Sequence, residues 1–520
     1  MAHQLSKLKF LIVFTGFFAI SPVLHAQVIA PDSIDRLVER TLKTFDVPGI
    51  SVAIVKDDKV IFAKGYGYAS LATHKKMDEN TLVGIASNSK AFTTAAIGIL
   101  VDEGKLKLDD KLTDYIPEFK LYDPWVTSEF TIRDMLTHRS GLGLGAGDLM
   151  DFPDSTDFTM ADVIHNMRYF KPASSFRSKY DYDNQLYKIA GELIKRVSGM
   201  SWEDFIETRI MKPLGMDHSY AAYQRIKDYA NVADAHAPVD DKVVVIPRYI
   251  TYTGNSAGGI YSSVADMSKW IIMQMNNGKY GDGKRLFSED VHWQMWSPQT
   301  VIPVGPTTAY NTHFAAYGLG WFLDDAKGYK EVTHTGGIDG MVTKVDLFPE
   351  LKLGIIVLTN QESGAAFTAI ANQIKDSYFG ITGRDWVKML SGQANAAQEN
   401  ADKVMAAVWK QVDEAKKEKT DFKPFLGTYH DNWLGDATIS MQDGQVWFKV
   451  KHSPKLTGQV LAYKGDTFVI KWMYRSMEAD AYAMFSFDEN GKPTGLKLKP
   501  ISPLTDFSFD FQDLDYKKVE

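Results

Sequence analysis

Candidate strands lie at both ends of the region between residues 30 and 390, and the residues between them favour helices. Near its start, residues 49–56 and 59–66 are two strand candidates joined at Asp57-Asp58, which predicts a β-hairpin. Near its end, four more strand candidates follow, with turn residues between them: residues 318–323, 331–335, 342–349 and 352–359. This order predicts one antiparallel sheet assembled from both ends of the region.

Helical patterns fill the rest of the region. Residues 31–45 place apolar side chains on one face, whereas residues 86–103 are apolar on nearly every side, which is typical of a buried helix. Residues 110–300 indicate mostly helix and loop, and residues 364–379 predict a closing helix. We therefore expect an α+β fold, in which an antiparallel sheet is flanked by helices and carries an inserted all-helical domain.

The C-terminal part of the chain has a different pattern. Residues 391–422 are rich in Ala, Lys, Glu and Gln and predict a helical linker. In residues 423–520, turn signals recur between short alternating runs, which predicts a small closed antiparallel β-barrel. We expect the barrel to fold independently of residues 27–390, with few backbone hydrogen bonds shared across the linker, so that its removal leaves their chemistry intact. A barrel in this position can still cover part of a substrate cleft.

The first 26 residues have the composition of a signal peptide. Lys7 and Lys9 precede an apolar run at residues 10–20, and Leu24-His25-Ala26 offers a cleavage site before Gln27. A membrane anchor is the alternative, but the run is shorter than the ~20 apolar residues that span a bilayer. We expect cleavage after residue 26, no membrane span in the mature protein, and a location in the periplasm or the medium.

Composition excludes several kinds of chemistry. The sequence has no cysteine, and therefore no disulfide, thiol nucleophile or cysteine-bound zinc. Its net charge of -7 is spread along the chain without a basic block, so we expect no nucleic-acid partner. The 12 histidines show no metal-ligand spacing, and we expect His138 to bond backbone in a loop. We expect neither a metal nor an organic cofactor.

Ser87 and Lys90 stand at the start of the predicted buried helix, in the pattern S-x-x-K. At this spacing the two side chains share one helical face, so the lysine amine can reach the serine hydroxyl. Burial lowers the pKa of a lysine, and its neutral amine can then take the serine proton. Free amides at the helix N-terminus can stabilise an oxyanion. The other S-x-x-K, at residues 6–9, lies in the predicted signal peptide.

Two further patterns follow in order along the chain. Tyr182-Asp183-Asn184 precedes an apolar helical pattern, and His334-Thr335-Gly336-Gly337 ends a predicted strand. A second Y-x-N, at residues 229–231, precedes no comparable helix. The order S-x-x-K, Y-x-N and [K/H]-T-G resembles the active-site serine penicillin-recognising enzymes, in particular the family of class C β-lactamases and D-Ala-D-Ala carboxypeptidases.

Other segments extend this resemblance over residues 30–390. Residues 136–142 (L-T-H-R-S-G-L), 257–267 and 317–321 (Y-G-L-G-W) are similar to stretches of the same family. Residues 423–520 resemble the lipocalin-like β-domain that follows the catalytic domain in many members.

The resemblance implies a mechanism. Ser87 would attack a carbonyl carbon to form an acyl-enzyme, and Lys90 and Tyr182 would share the general-base and general-acid work. Their titrations would be coupled, which leaves open which of the two is the base. Asn184 would hydrogen-bond Lys90 and the amide of the substrate, and His334, Thr335 and Gly336 would line the substrate pocket. The backbone amides of Ser87 and Gly337 would form the oxyanion hole.

The function implied is that of an exported serine hydrolase acting on peptide, amide or ester bonds. Its substrate would be a small molecule or a peptide, and the types that remain open are peptidase, D-aminopeptidase, carboxypeptidase and esterase. The oligomeric state is open as well. Two departures bear on the pocket. His334 stands where the β-lactamases usually have lysine, and histidine there is commoner among peptidases and esterases. Asp183 replaces the usual small residue between Tyr182 and Asn184.

Two other interpretations compete with this one. Residues 254–258 fit G-x-S-x-G, and Ser256, Asp324 and His334 follow the chain order of an α/β-hydrolase triad, but the alternating βα units of that fold are absent. The other interpretation is a penicillin-binding or β-lactam-sensing protein that is acylated with little turnover.

Overall fold

A computed structural model describes residues 29–239 and 242–519. The predicted signal peptide, residues 1–26, lies outside the described residues. Within the described ranges, no helix is both long enough and apolar enough to cross a membrane.

The centre of the larger domain is an eight-stranded antiparallel sheet. Strand Gly49–Lys56 pairs with Leu353–Thr359, with Val52 opposite Val357, so both ends of the region meet in one sheet as the sequence predicts. In spatial order the strands are Lys59–Gly67, Gly49–Lys56, Leu353–Thr359, Met341–Phe348, Tyr329–Ile338, Phe322–Ala326, Ala315–Tyr317 and Thr300–Ile302.

Helices cover the sheet on both faces. Along the buried strand Leu353–Thr359, successive side chains point to opposite sides. Ile355 belongs to the core formed with helix Gly364–Phe379, and Ile356 belongs to the core formed with helix Val264–Met275. Helix Pro31–Thr44 lies on the same side as Gly364–Phe379. The α+β fold with a helix-flanked antiparallel sheet is therefore confirmed.

The segment inserted between the outer strands is mostly helical. Three short antiparallel pairs also occur in it, joining Val83–Gly84 to Tyr261–Ser262, Ala235–Val239 to Lys242–Ile246, and Lys279–Tyr280 to Lys284–Arg285. Its helices are Ser89–Asp102, Pro124–Glu129, Ile132–Leu136, Met160–Asn166, Asn184–Ser198, Trp202–Ile206, Lys212–Leu214, Asn255–Gly258, Val264–Met275 and Glu289–Met295.

One predicted strand is misplaced. Residues 318–321 form a turn between strands Ala315–Tyr317 and Phe322–Ala326, instead of the start of a strand at 318–323. Gly320 has a φ of 76°, a left-handed conformation that glycine adopts without strain. A β-carbon there would lie 2.9 Å from Ala91 Cα, so the turn packs directly on the helix that begins at Ser89.

The C-terminal domain is a closed eight-stranded barrel, as predicted. Its strands are Gly427–Asp431, Gly435–Gln442, Gln445–Val450, Thr457–Lys464, Thr467–Trp472, Ala481–Phe487, Pro493–Pro500 and Tyr516–Val519. The predicted linker is part of one helix, Trp386–Ala415, which begins before residue 391. Val408 and Val412 of this helix are buried together with Val469 and Ile501 of the barrel.

The barrel packs against the larger domain through side chains of both domains. The ring centroids of Phe170 and Trp433 lie 5.0 Å apart, and those of Phe152 and Phe509 lie 5.9 Å apart. Asn166 donates a hydrogen bond from Nδ2 to the carbonyl of Trp433 at 2.8 Å. Both surfaces carry apolar side chains that would be exposed to water if the domains were apart. Together these side chains form one continuous core.

Candidate active site

Ser87 lies in a short 3₁₀ turn, Ala86–Asn88, that leads from the sheet side of the molecule into helix Ser89–Asp102. Ala86 has a φ of 48°, a conformation that costs a non-glycine residue energy and is typical of functional sites. Asn88 donates from Nδ2 to Thr343 Oγ1 at 2.9 Å, and Thr343 donates in turn to the Ile85 carbonyl at 3.0 Å. These bonds fix the turn to the central sheet.

Lys90 lies beneath Ser87 and is completely buried. Its Nζ lies 3.1 Å from Ser87 Oγ, 2.7 Å from Asn184 Oδ1 and 3.0 Å from the Ala257 carbonyl. Burial lowers the pKa of Lys90 to about 7, although the charge of nearby Asp148 opposes this shift. A neutral amine has two protons, which the two carbonyl oxygens can accept, and a lone pair that then faces the Ser87 hydroxyl.

Tyr182 borders the same space. Lys90 Nζ lies 4.7 Å from the centroid of its ring. Burial raises the pKa of the Tyr182 phenol well above its usual value, and the neighbouring Ser87 hydroxyl opposes the shift only in part. The ring packs 4.3 Å from that of His138, whose Nδ1 accepts the backbone N–H of Asp183, the backbone contact predicted for this histidine.

Asn184 connects Lys90 to Asp148. Its Oδ1 accepts from Lys90, and its Nδ2 donates to Asp148 Oδ2 at 2.8 Å. Burial raises the pKa of Asp148 to about 6. Asp183, in contrast, is fully buried at the start of helix Asn184–Ser198, where its carboxyl accepts the N–H groups of Gln185 and Leu186. The departure at Asp183 is therefore a helix cap outside the cleft lining.

The third pattern lies on strand Tyr329–Ile338, where the side chains alternate between the interior and the cleft. Thr335 is exposed to the cleft, and His334 is buried. The Nε2 of His334 lies 3.2 Å from the Tyr317 hydroxyl, and its Nδ1 lies against the carbonyl of Thr335. Burial, together with the charge of Lys90, lowers the pKa of His334 to about 3, so this position carries no positive charge at neutral pH.

These residues open into one cleft of about 750 Å³. From the larger domain, its walls include Ser87, Tyr182, Asn184, His334, Thr335, Gly336 and Gly337. The sequence-predicted site residues that are expected to meet substrate thus lie around a single space, and Lys90 lies directly below them.

The barrel forms part of the wall of this cleft, and the sequence did not reveal which of its residues do so. They lie in two loops and comprise Ser476, Met477, Glu478, Leu504, Asp506, Phe507, Ser508 and Phe509. Phe507 meets the Tyr182 ring edge-on, with centroids 6.0 Å apart. No motif marks these residues. Only the closing of the barrel brings them to the site.

The side chains that the two competing patterns offer, Ser256 and Asn231, do not line the cleft. Ser256 is buried against Gly191, where a β-carbon would lie 2.4 Å from its Oγ, and it does not line the cleft. Together with the antiparallel sheet, this overturns the α/β-hydrolase interpretation. In the second Y-x-N, Asn231 bonds Asp78 and Thr81 instead of Lys90. Among the described residues, no group of three or more histidine or acidic side chains is placed to hold a metal ion.

Comparison with known proteins agrees with this geometry. A family model described as Beta-lactamase matches residues 34–378. The chain belongs to the beta-lactamase family. A second family model, a domain of unknown function (DUF3471), matches residues 412–518, which include the barrel. The family resemblance inferred from the three motifs is thereby confirmed.

Relatives in this family include two with different names. Unguisins hydrolase ungD of Aspergillus violaceofuscus (strain CBS 115571) is 30% identical over 375 residues, which are 68% of this chain and 65% of the relative. Protein flp of Staphylococcus aureus (strain N315) is 29% identical over 337 residues, which are 64% of this chain and 63% of the relative. The match to this chain thus covers less than two thirds of each relative.

A solved structure shares the fold over nearly the whole chain. The octameric penicillin-binding protein homologue from Pyrococcus abyssi superposes with a TM-score of 0.61 and 22% identity, and the match covers 94% of this chain and 100% of that one.

Proposed function

We propose that this protein is an exported serine hydrolase that cleaves peptide, amide or ester bonds through an acyl-enzyme on Ser87. One observation carries the proposal: a buried lysine amine with its pKa lowered to about 7 lies 3.1 Å from the hydroxyl of Ser87, beside an open cleft. A structural lysine in this position would stay charged and paired with a carboxylate, whereas Lys90 contacts two carbonyl oxygens and a hydroxyl.

The proposed reaction begins with the transfer of the Ser87 proton to neutral Lys90. Ser87 Oγ then attacks the substrate carbonyl, and the resulting oxyanion faces the amides of Ser87 and Gly337. As the bond to the leaving group breaks, the proton held by Lys90 passes to the leaving nitrogen or oxygen through the Tyr182 hydroxyl. Water then attacks the acyl-enzyme and releases the acid and free Ser87.

We assign the base to Lys90 and the proton delivery to Tyr182. At neutral pH a large share of Lys90 is already deprotonated, because its pKa is lowered to about 7. The pKa of Tyr182 is raised well above its usual value, so a tyrosinate is scarce in the free enzyme. A neutral phenol between the amine and the leaving group is suited to donating one proton while accepting another.

An extended substrate fits the free edge of the strand that carries the third motif. Strand Tyr329–Ile338 pairs with Phe322–Ala326 only as far as Thr333, and beyond that residue it pairs on one side only, with Met341–Phe348. The backbone of Thr335 and Gly337 therefore has one unpaired edge next to the nucleophile. Backbone groups of a peptide, amide or ester can align along this edge.

The name of the ungD relative, a hydrolase of unguisins, supports hydrolysis as the reaction class. Export rests on the composition of residues 1–26, and we propose the periplasm or the medium as the location.

The test is covalent labelling. A fluorophosphonate probe added to the full-length protein should give a single adduct, located on Ser87 by mass spectrometry. Ser87→Ala should not be labelled, whereas Ser256→Ala should be labelled like the wild type, because Ser256 is outside the cleft. An adduct on another residue, or labelling of Ser87→Ala, would contradict the proposal.

A second candidate is a penicillin-binding or β-lactam-sensing protein that is acylated with little turnover. The fold shared with the penicillin-binding protein homologue favours it, since such a protein needs the same acylation residues. A fluorescent penicillin that labels Ser87 in a stoichiometric burst, with ester and peptide panels giving no steady-state turnover, would support this candidate over a hydrolase.

A further inference from the structure

Asp510 belongs to the barrel domain, but its carboxyl group bonds the larger domain. It lies between strands Pro493–Pro500 and Tyr516–Val519 and is fully buried. Its Oδ2 accepts the backbone N–H of Gly147 at 2.6 Å, and its Oδ1 accepts that of Leu149 at 3.2 Å. Among the described residues, both side-chain hydrogen bonds of Asp510 therefore cross from one domain to the other.

The two amides stand on either side of Asp148. Gly147 precedes the 3₁₀ turn Asp148–Met150 and has a φ of 81°, so the turn depends on a left-handed glycine. A β-carbon on Gly147 would lie 2.8 Å from Phe170, which leaves the turn little room to move on that side. Asp510 thus accepts hydrogen bonds from the backbone on both sides of Asp148, whose side chain faces the candidate site.

From Asp148 a chain of hydrogen bonds leads to the nucleophile. Asp148 Oδ2 accepts from Asn184 Nδ2 at 2.8 Å, and Asn184 Oδ1 lies 2.7 Å from Lys90 Nζ. Lys90 Nζ lies 3.1 Å from Ser87 Oγ. A displacement of the Asp148 turn would therefore rotate the Asn184 amide and remove one of the two carbonyl oxygens that orient Lys90.

Burial of a carboxyl group costs free energy unless hydrogen bonds satisfy it, and in the part of the chain that the structure describes the side-chain bonds of Asp510 go to the larger domain. Desolvation and the nearby Asp148 raise the pKa of Asp510 well above its usual range. A buried acidic group whose side-chain partners are backbone amides of the other domain, on either side of Asp148, is better explained by the site than by the barrel fold.

We propose that Asp510 is a positioning residue of the active site, through which the barrel domain holds Asp148, Asn184 and Lys90 in their reactive arrangement. The inference rests on the proposed function, because the reaction it supports is the acylation of Ser87. With this role, the barrel contributes to the reaction of the hydrolase in addition to forming part of the cleft wall.

The test compares two isosteric changes in full-length protein. Asp510→Asn keeps one acceptor oxygen and turns an NH₂ group toward the other amide, so one N–H loses its partner. The matched control is Asp431→Asn. Asp431 is also buried, and its carboxyl also accepts backbone amides, but those of Trp433, Leu434 and Asp515 within the barrel. Thermal melting of both variants reports the cost to barrel stability.

With a p-nitrophenyl ester as substrate, Asp510→Asn should lower kcat by about tenfold or more and leave KM within about threefold, because it misplaces Lys90 without removing cleft contacts. Asp431→Asn should keep kcat within about threefold of the wild type. If both variants lose kcat in proportion to their loss of melting temperature, Asp510 has only a structural role and the inference is wrong.

A double-mutant cycle tests the route through Asp148. In an Asp148→Ala background the link to Asn184 is already broken, so the further change Asp510→Asn should lower kcat by less than about twofold. Independent, multiplicative losses would overturn the route. Failure of the proposed function is distinguishable from these outcomes, since wild-type protein would then show no fluorophosphonate adduct on Ser87.

Discussion

The carbonyl oxygen of Ile85 lies only 2.2 Å from the position that a β-carbon would occupy on Gly336. Thr343 Oγ1, at 2.6 Å from the same position, closes the space from the neighbouring strand. Only a residue without a side chain lets the strand of the third motif approach the turn that holds Ser87. The glycine of the H-T-G pattern is thus a packing requirement of the site.

Gly336→Ala should separate that strand from the nucleophile turn. We expect it to lower the free energy of unfolding by about 1–3 kcal/mol, as overpacked buried sites do. Fluorophosphonate labelling of Ser87 should slow by about 100-fold or more, because the oxyanion-hole amide moves away. Calorimetry and timed labelling measure the two effects.

The control for stability is Gly337→Ala, one residue further along. The nearest atom to a β-carbon there is Val342 Cγ1 at 3.8 Å, an ordinary contact distance. Its melting temperature should match that of the wild type. If Gly336→Ala and Gly337→Ala lower the melting temperature equally, the close approach of the Ile85 carbonyl is not the reason that position 336 requires glycine.

Acylation should depend on pH through Lys90. The pKa of this amine is lowered to about 7, so the neutral, reactive form dominates above that pH and is lost below it. The rate of fluorophosphonate labelling should therefore fall about tenfold per pH unit in the acid range and level off above about pH 8. Lys90→Arg, whose side chain stays protonated, should be labelled about 100-fold more slowly or worse at every pH. An acid limb centred near pH 4 would contradict this assignment.

The sequence predicted the larger domain well because the patterns that indicate its helices, strands and motifs are local. The strand candidates at residues 49–56, 342–349 and 352–359 lie in the central sheet, and the buried helix after Ser87 was visible from its composition. The three motifs named residues that the fold brings together, including the contact between Lys90 and Asn184. Each of these follows from patterns within one segment or from motif order along the chain.

What the sequence missed depends on contacts between distant segments. The turn at Gly320 follows from its packing against Ala91, which no local pattern contains. Asp148 has no motif, and its place beside Asn184 is set by the fold. Which barrel residues line the cleft, namely 476–478, 504 and 506–509, likewise follows only from the fold. A polar helix before the barrel suggested a spacer, although burial of Val408 and Val412 fixes the helix to the barrel.

Efficient hydrolysis of β-lactams should be absent. His334 is buried and its pKa is lowered to about 3, so the position offers no permanent positive charge to a β-lactam carboxylate. We expect kcat/KM for nitrocefin to stay well below ~10⁶ M⁻¹s⁻¹ and below that for p-nitrophenyl esters or peptides. Steady-state assays on the same preparation make the comparison, and a nitrocefin value at or above that level would refute the prediction.

The barrel should be required for a soluble, reactive enzyme, in contrast to the expectation from sequence. The informative truncation ends at Ala415, because a cut at residue 390 would divide the helix Trp386–Ala415. Removal of the barrel would expose Phe170, which is 3% exposed in the intact chain, together with Phe152 and the amides that Asp510 binds. Apolar surface uncovered over such an area favours aggregation.

We therefore expect the protein truncated after Ala415 to aggregate or, if it is recovered in soluble form, to label at Ser87 more than about tenfold more slowly than the full chain. A full-length control is Asp157→Asn, which weakens the exposed pair with His452, 2.7 Å long, at the edge of the same interface. Exposed pairs contribute about 0–1 kcal/mol, so this variant should remain soluble and label at the wild-type rate. Gel filtration and timed labelling compare the three proteins. A monomeric truncated protein that labels as fast as the full chain would show that the larger domain positions Lys90 without help, and that the barrel only lines the cleft.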